Sequence, residues 1–495
     1  MDKDELTAWA LANGWQLVGG CPSLTKPSAP KEAIVRMVFK ATVVNVEIKK
    51  PAGKWEKVSG APYNRIVPDP ERGLPDGLGL AGIQGLTGLM RDNKDRMVFA
   101  RMSGAPKPWA QGRTTMEPLA DLPSGVRARF VSGVNGLTMH VLEAGFETPG
   151  RPCLLLLHGF PEIAYSWRKI MPPLAAAGFH VVAPDQRGYG RTTGWDPAYD
   201  GDLASFRMMN LARDAMGLVW ALGHRSVAAV IGHDFGAPVA AWCALLRPDV
   251  FRSVALMSGP FAGSPALPFG SDAAAPPAPD IHAALAALDR PRKHYQWYYS
   301  TREADRDMRE APQGVHAFLR AYFHVKSADW PGNRPHELRG WTAEELAKMP
   351  TYYVMDRDRT MPETVAPEMP DAAGIAACRW LTERELAVYS REYERVGFQG
   401  GLQWYRCRID PRFSADLQLF AGRTIDVPAI YIAGTSDWGV YQVPGALERM
   451  RREACTQMRG CHLIEGAGHW VQQEQPERVS DLLLGFLREQ RITAR

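Results

Sequence analysis

The chain has 495 residues, of which 45% are hydrophobic and 23% charged, and this mixture excludes a disordered or fibrous protein. The 58 basic and 54 acidic side chains leave a net charge of +4 that is spread along the chain, which argues against nucleic-acid and membrane-surface partners. The seven cysteines have no zinc-binding spacing, so we expect reduced thiols and no metal. The amino terminus has no basic segment ahead of an apolar run, and we expect a cytoplasmic protein.

Residues 1–102 are predicted to form a small α+β accessory domain. Asp4–Asn13 has helical spacing, whereas Ile34–Lys50 and Arg96–Met102 have the character of strands. A polar stretch rich in proline and glycine follows, and we assign residues 103–122 to a linker. The first domain resembles no family that we recognise, so its role stays open between packing, dimerisation and ligand capture.

From residue 123 onward the pattern is that of an α/β protein. Two apolar runs flank Asn135-Gly136, which is a strong signal for a β-hairpin. Short apolar runs without alternation then recur, as is typical of parallel strands buried on both faces and joined by helices. These runs are Cys153–Leu157, His180–Ala183, Val227–Ile231, Val254–Met257, Ala429–Ala433 and His462–Ile464. The sequence therefore predicts a core with a mostly parallel sheet, in two parts, residues 123–263 and 416–495.

Residues 264–415 interrupt this series of strands. The interval begins with an alanine- and proline-rich segment, Pro265–Pro279, and continues with helical stretches such as Gly314–His324 and Glu383–Arg395. It is also rich in aromatic residues. We expect a helical lid, or cap, that lies over the sheet.

The segment Val230–Ala237, with the sequence VIGHDFGA, is the sharpest local motif. A predicted buried strand leads directly into a helix with Pro238 in its first turn, which is the pattern of a nucleophile elbow. Asp234 occupies the position of the nucleophile, where the free N–H groups of the helix start would keep its carboxylate ionised. The alternative is an aspartate that only caps an ordinary helix.

The segment HGFPE follows the first strand of the predicted parallel sheet. The backbone amides of Phe160 and Phe235 are predicted to form an oxyanion hole there. His158 is expected to order this loop and not to transfer protons, and Pro161 is expected to follow a cis peptide bond.

Two further residues complete a catalytic triad. Asp437 and His469 each follow a predicted strand, so the chain order is nucleophile, acid, histidine, as in hydrolases of this architecture. Asp437 would orient the imidazole, and His469 would take a proton from water. Either residue taken alone could be an ordinary turn or core residue.

The five motifs together resemble those of the α/β-hydrolase-fold epoxide hydrolases of the soluble, bacterial type, over about residues 123–495. They are HGFPE (158–162), DQRGYGRT (185–192), GHDFGAP (232–238), WYR (404–406) and GAGHW (466–470). The resemblance implies that an epoxide is opened to a vicinal diol through an alkyl ester of Asp234, without a cofactor or metal. It also implies that two lid tyrosines, Tyr295 and Tyr405, donate to the epoxide oxygen, with Tyr298 and Tyr299 as alternatives to Tyr295.

Two other functions compete with this hypothesis. A haloalkane or haloacid dehalogenase of the same fold commonly has a tryptophan after the nucleophile and a donor in the HGx loop, where this chain has Phe235 and Phe160. A non-catalytic ligand-binding protein would not need the complete triad. We therefore expect a detoxifying hydrolase that acts on small, mostly apolar epoxides, and we leave a homodimer open.

Overall fold

The computed structural model describes residues 1–13, 15–18, 20–24, 34–49, 54–67, 74–80, 83, 119, 121–266 and 280–490. The chain divides into two compact units, Met1–Met116 and Glu117–Arg495. The strand predicted over Arg96–Met102 and most of the predicted linker lie outside the described residues, as do residues 267–279 of the alanine- and proline-rich segment.

The first unit combines one helix with an antiparallel sheet. Its described elements are α1 (Lys3–Ala12), β1 (Gln16–Val18), β2 (Cys21–Leu24), β3 (Ile34–Phe39), β4 (Val43–Lys49) and β5 (Trp55–Pro62), with the strands paired in chain order. The α+β prediction is thus confirmed. The single strand predicted over Ile34–Lys50 is wrong, because the chain turns after β3 and the Lys40 N–H donates to the Val43 carbonyl at 2.8 Å. Val35, Met37, Val44 and Val46 bury one face of this hairpin.

The second unit contains a mostly parallel sheet, as predicted. Its described strands are β6 (Val126–Val134), β7 (Leu137–Ala144), β8 (Cys153–Leu157), β9 (His180–Pro184), β10 (Ala229–His233), β11 (Val254–Met257), β12 (Arg292–His294), β13 (Val354–Asp356), β14 (Ala429–Gly434) and β15 (Met458–Ile464). Eight of these form one sheet in the order β15-β14-β11-β10-β8-β9-β7-β6, and β12 pairs with β13. Neighbouring strands from β15 to β9 pair in parallel. Strand β7 pairs antiparallel with both of its neighbours, β9 and β6.

Helices cover this sheet, and every residue of β8, β10, β11 and β14 is buried. The described helices are α2 (Met171–Ala176), α3 (Met208–Ala221), α4 (Gly236–Leu246), α5 (Ile281–Ala286), α6 (Tyr295–Tyr299), α7 (Glu303–Arg309), α8 (Gly314–Lys326), α9 (Ala343–Leu346), α10 (Met361–Val365), α11 (Ala372–Ala377), α12 (Glu383–Val396), α13 (Gln399–Ile409), α14 (Ala446–Arg449), α15 (Val471–Glu474) and α16 (Pro476–Glu489). Helices α5 to α13 lie in the predicted lid interval. None of the helices in the described ranges is long and apolar enough to cross a bilayer.

The carboxyl ends of the parallel strands place the site. Strand β8 ends just before His158, β10 ends just before Asp234, and β14 and β15 lead to Asp437 and His469. Because the carboxyl ends of parallel strands meet at one edge of a sheet, residues far apart in the sequence converge there.

Candidate active site

The chain bends sharply at Asp234. This residue has a φ of 51°, in the left-handed region that side chains rarely adopt, and α4 begins two residues later. A Cβ on Gly232 would lie 2.1 Å from the Gly236 carbonyl oxygen, and one on Gly236 would lie 2.1 Å from the Leu157 carbonyl oxygen. Both positions therefore require glycine. The strand, turn and helix predicted around Asp234 are all present.

His469 lies between two carboxylates. Its Nε2 is 3.2 Å from Asp234 Oδ2, and its Nδ1 is 3.1 Å from Asp437 Oδ1. The Gly439 N–H donates to Asp437 Oδ1 at 2.7 Å, and Ser258 Oγ lies 2.9 Å from His469 Nδ1. Asp437 and Ser258 thus both contact Nδ1, and Nε2 faces Asp234.

The electrostatic environment keeps Asp234 ionised. Burial acts to raise its pKa, but the hydrogen bond and charge of His469 and the charge of Lys326 outweigh burial, so the pKa lies below its ordinary value. Burial is outweighed in the same way at Asp437, mainly by His469, and its pKa is also lowered. Asp234 is therefore an ionised carboxylate at neutral pH.

Lys326 is a buried cation that sequence reasoning missed. Its ammonium lies 5.0 to 5.5 Å from the ring centroids of Tyr353, Tyr322 and Trp470. Burial lowers the pKa of Lys326, and the negative charge of Asp234 opposes this effect. No sequence motif marks it, because its rings come from separate segments.

The loop after β8 contacts Asp234 through its backbone. The Phe160 N–H donates to Asp234 Oδ1 at 2.9 Å, and the Phe160–Pro161 peptide bond is cis, as expected. His158 is buried, with Nδ1 2.9 Å from the Gly159 carbonyl oxygen and Nε2 accepting from the Gln186 N–H at 3.0 Å. Burial lowers the pKa of His158, so a neutral ring ties the loop to the segment after β9.

The second predicted oxyanion donor is the amide of Phe235. This residue follows Asp234 directly and caps the amino terminus of α4. Its role in the oxyanion hole stays a prediction.

A cavity of about 290 Å³ connects Asp234 with the predicted lid tyrosines. It is lined by Asp234, Tyr295 and Tyr405 together with mostly apolar and aromatic side chains. The Tyr295 hydroxyl donates to Gln442 Oε1 at 3.2 Å and accepts from Gln296 Nε2 at 3.1 Å. Burial raises the pKa of both tyrosines, so they are neutral donors at neutral pH.

The alternative tyrosines make other contacts. The Tyr298 hydroxyl donates to Asp307 Oδ2 at 3.1 Å, and the Tyr299 hydroxyl donates to the Tyr322 hydroxyl at 3.1 Å. Of the three neighbouring tyrosines, Tyr295 is the one that lines the cavity with Asp234.

His233 and Glu162 form a buried pair behind His469 that the sequence did not indicate. His233 Nδ1 lies 2.6 Å from Glu162 Oε2, and His233 Nε2 lies 2.6 Å from the His469 carbonyl oxygen. Gln472 and Gln473 donate to Glu162 Oε1 at 2.9 and 3.0 Å. Burial disfavours the charge on His233, but Glu162 outweighs burial and raises the pKa of His233 to about 8. Both residues lie inside recognisable motifs, yet their contact depends on how two strand ends meet.

Glu474 holds the loop that carries His469. Its carboxylate accepts from the N–H groups of Gly468 and Trp470, on either side of the histidine, at 2.9 Å each. It also accepts from the Ala328 N–H at 2.8 Å, just after α8. Burial raises the pKa of Glu474 to about 8, against the effect of these three donors.

The fold, the bend at Asp234 and the adjoining imidazole define a hydrolase of the α/β-hydrolase class. Residues 152–301 match the family model described as alpha/beta hydrolase fold. Epoxide hydrolases A and B of Mycobacterium tuberculosis are 33% and 34% identical to the chain, each over 71% of it and over 95% and 96% of their own lengths.

Solved structures agree with these relatives. An epoxide hydrolase from an endophytic Streptomyces has 30% identity and a TM-score of 0.59, covering 75% of this chain and 98% of its own. Epoxide hydrolase A from Mycobacterium thermoresistibile has 32% identity and a TM-score of 0.57, and the match covers 73% of this chain and 98% of that protein. The chain belongs to the α/β-hydrolase-fold epoxide hydrolases. The dehalogenase alternative is not favoured.

Proposed function

We propose that this chain hydrolyses small, mostly apolar epoxides to vicinal diols, with Asp234 as the nucleophile. One observation carries the proposal: the two oxygens of Asp234 have different partners. The Phe160 amide binds Oδ1 at 2.9 Å, and His469 Nε2 lies 3.2 Å from Oδ2. The same carboxylate shares a cavity with Tyr295 and Tyr405.

In the first step, Asp234 Oδ2 attacks a ring carbon of the epoxide. The new C–O bond forms an ester as the carbon–oxygen bond of the ring breaks, and the electron pair of that bond moves to the epoxide oxygen. The hydroxyls of Tyr295 and Tyr405 donate hydrogen bonds to this oxygen, and one of them gives up its proton. A buried, neutral phenol suits this task because it adds no charge before the ring opens.

In the second step, His469 takes a proton from water, and the resulting hydroxide attacks Cγ of the ester. The negative charge then collects on Oδ1, where the amides of Phe160 and Phe235 stabilise it. Collapse of this intermediate breaks the bond between Cγ and Oδ2, and the proton of the added hydroxyl moves to Oδ2. The diol is released, and the carboxylate is restored. The proton on the imidazole returns to the tyrosine.

The substitution His469→Gln tests this mechanism. The variant should form the ester and fail to hydrolyse it, so mass spectrometry after exposure to styrene oxide should show one adduct on the peptide that contains Asp234. His462→Gln, on β15, is the matched control. This variant should turn over styrene oxide at the wild-type rate and should accumulate no adduct. An unmodified peptide together with normal turnover in His469→Gln would disprove the proposal.

The lining of the cavity supports the proposed substrate class. Apart from Asp234, Arg408, two glutamines and the hydroxyl groups, its walls are mainly aromatic and aliphatic side chains. Such a cavity suits a detoxifying enzyme that acts on uncharged epoxides. The cytoplasmic location and the homodimer stay predictions.

A further inference from the structure

Three side chains of types that can bind metals meet at the amino-terminal edge of the sheet, at the opposite ends of the strands from Asp234. Cys153 is the first residue of β8 and His180 the first of β9, and the two are paired in register. His224 follows the carboxyl end of α3. One ligand atom from each residue lies within 4.8 Å of the other two, and His180 Nδ1 is 2.9 Å from His224 Nε2.

The backbone holds these positions firmly. The His180 N–H donates to the Pro152 carbonyl at 2.9 Å, and the Ala228 N–H donates to the Cys153 carbonyl at 2.7 Å. The His224 N–H donates to the carbonyl of Val219, in the last turn of α3, at 3.0 Å. Cys153 is buried, whereas both histidines are partly exposed, so an ion can reach the cluster from solvent.

We propose that Cys153, His180 and His224 bind one zinc ion, with water as the fourth ligand. A thiolate and two imidazoles are the donors that zinc prefers, and a site with three protein ligands leaves one position for water. Bonds to zinc of about 2.0 to 2.3 Å place tetrahedral ligands about 3.3 to 3.8 Å apart. The observed cluster reaches this geometry through small side-chain movements.

A buried carboxylate supports the ligand nearest to it. Glu143 Oε1 lies 3.3 Å from His180 Nε2, and this is the arrangement in which a carboxylate fixes the tautomer of a zinc-bound histidine. With the proton on Nε2, the lone pair of Nδ1 faces His224 and Cys153. Arg127 and Arg129 pair with Glu143 at 2.9 and 2.6 Å, so the carboxylate stays ionised without the metal.

Zinc binding requires two hydrogens to move, and both can be accounted for. Burial lowers the pKa of His224, so its imidazole is neutral at neutral pH and shares a hydrogen with His180. Burial raises the pKa of the Cys153 thiol, so Cys153 carries its proton in the metal-free protein. When zinc binds, it takes the place of the hydrogen between the two imidazoles, and that hydrogen moves to Nδ1 of His224. The thiol proton of Cys153 is released to solvent.

The sequence gives no sign of this site, because the ligands lie 27 and 44 residues apart and follow no zinc-binding spacing. Register between β8 and β9 brings the first two together. The turn after α3 adds the third.

Cobalt(II) is the probe that tests this site, because it occupies zinc sites and absorbs visible light. Untagged full-length protein is treated with a chelator, desalted and titrated with cobalt(II). We expect one cobalt ion per chain, with the intense visible bands of tetrahedral coordination and a thiolate charge-transfer band, both abolished by added zinc. Cys153→Ser and His224→Gln should each weaken binding at least about tenfold.

Cys461→Ser is the matched control, because Cys461 is a partly exposed thiol next to another histidine, His462. It should keep the wild-type spectrum. If Cys153→Ser does not fold, His224→Gln tests the site instead, because the His224 side chain is partly exposed. Epoxide turnover by this variant shows whether it is folded. Absence of the charge-transfer band in the wild type, or its loss in Cys461→Ser and persistence in His224→Gln, would overturn the proposal.

Discussion

Asp234, Asp437 and Glu162 place three carboxylates in one site, where Lys326, His233 and His469 lie close to them. A buried charge is costly unless an opposite charge or a hydrogen bond compensates it. His469 contacts Asp234 and Asp437, and His233 contacts Glu162, so each carboxylate has a compensating partner.

The two lid tyrosines give a test at the scale of single residues. Tyr405→Phe and Tyr295→Phe should each slow ester formation by about a hundredfold, the typical cost of removing one donor to a developing oxyanion. Rapid-quench measurement of the adduct on Asp234 gives this rate. Tyr298→Phe is the matched control, because its hydroxyl donates to Asp307, and it should stay near the wild-type rate. Wild-type rates in both lid variants would contradict the assignment.

The pair of Glu162 and His233 predicts a pH dependence of stability. The folded-state pKa of His233, about 8, lies above the ordinary value of about 6.5. The pair's contribution to the free energy of unfolding is therefore complete below pH 6.5 and is lost as the pH rises through 8. A difference of this size corresponds to about 2 kcal/mol.

Urea titrations at pH 6 and pH 9 measure this effect. From pH 6 to pH 9, the free energy of unfolding of the wild type should fall by about 2 kcal/mol more than that of His233→Gln. His336→Gln, at an exposed histidine, should follow the wild type. The same pH dependence in the wild type and in His233→Gln would show that the pair does not titrate as described.

Among the secondary-structure elements, the end of α8 is joined to the loop that carries His469. The His469 N–H donates to the carbonyl of Lys326, the last residue of α8, at 2.8 Å. A Cβ on Gly468 would lie 2.6 Å from the same oxygen, so the loop needs glycine for this approach. Glu474, at the end of α15, holds both sides of the loop. The position of His469 thus depends on two helices as well as on β15.

Two substitutions of glycine by alanine should have opposite effects on the free energy of unfolding. Gly232→Ala adds a Cβ at 2.1 Å from the Gly236 carbonyl oxygen and should cost about 3 kcal/mol or more. Gly485→Ala, in α16, meets no atom within 4 Å and should gain up to about 1 kcal/mol. Thermal unfolding compares the two. Equal stability of both variants would refute the packing argument at the bend.

The sequence predicted the elements well where hydrophobic burial alone determines them. The runs of β8 and β11 coincide with the strands, whereas β10 begins and ends two residues later than predicted. The turn between β3 and β4 was missed because residues 40–42, Lys-Ala-Thr, include no glycine, proline, asparagine or aspartate to mark it. Strand ends depend on hydrogen bonds between strands, which periodicity does not reveal.

At the scale of the whole molecule, each unit buries its own hydrophobic core. All the proposed catalytic residues belong to the second unit, residues 117–495. We predict that this unit alone, produced without residues 1–116, folds and keeps kcat/KM for styrene oxide within about threefold of the full chain. Diol formation by both proteins is the measurement. A folded second unit with much lower kcat/KM would assign a catalytic contribution to the first.

The candidate site was predictable in part for a physical reason. Asp234, Asp437 and His469 each follow a strand within a short motif, so the sequence alone indicates their chemistry. Lys326 and Ser258 carry no such signal, because their roles come from contacts between distant segments. The cluster around Cys153 is hidden for the same reason.

An ester on Asp234 is the step on which the proposed mechanism depends, and a single turnover in oxygen-18 water can detect it. With enzyme in excess over styrene oxide, the attacking water should leave its oxygen in the carboxylate of Asp234, and the first diol should contain none of the label. Mass spectrometry of the diol and of the peptide that contains Asp234 measures both. Label in the first diol and none in the peptide would mean that water attacks the epoxide directly and that no ester forms on Asp234.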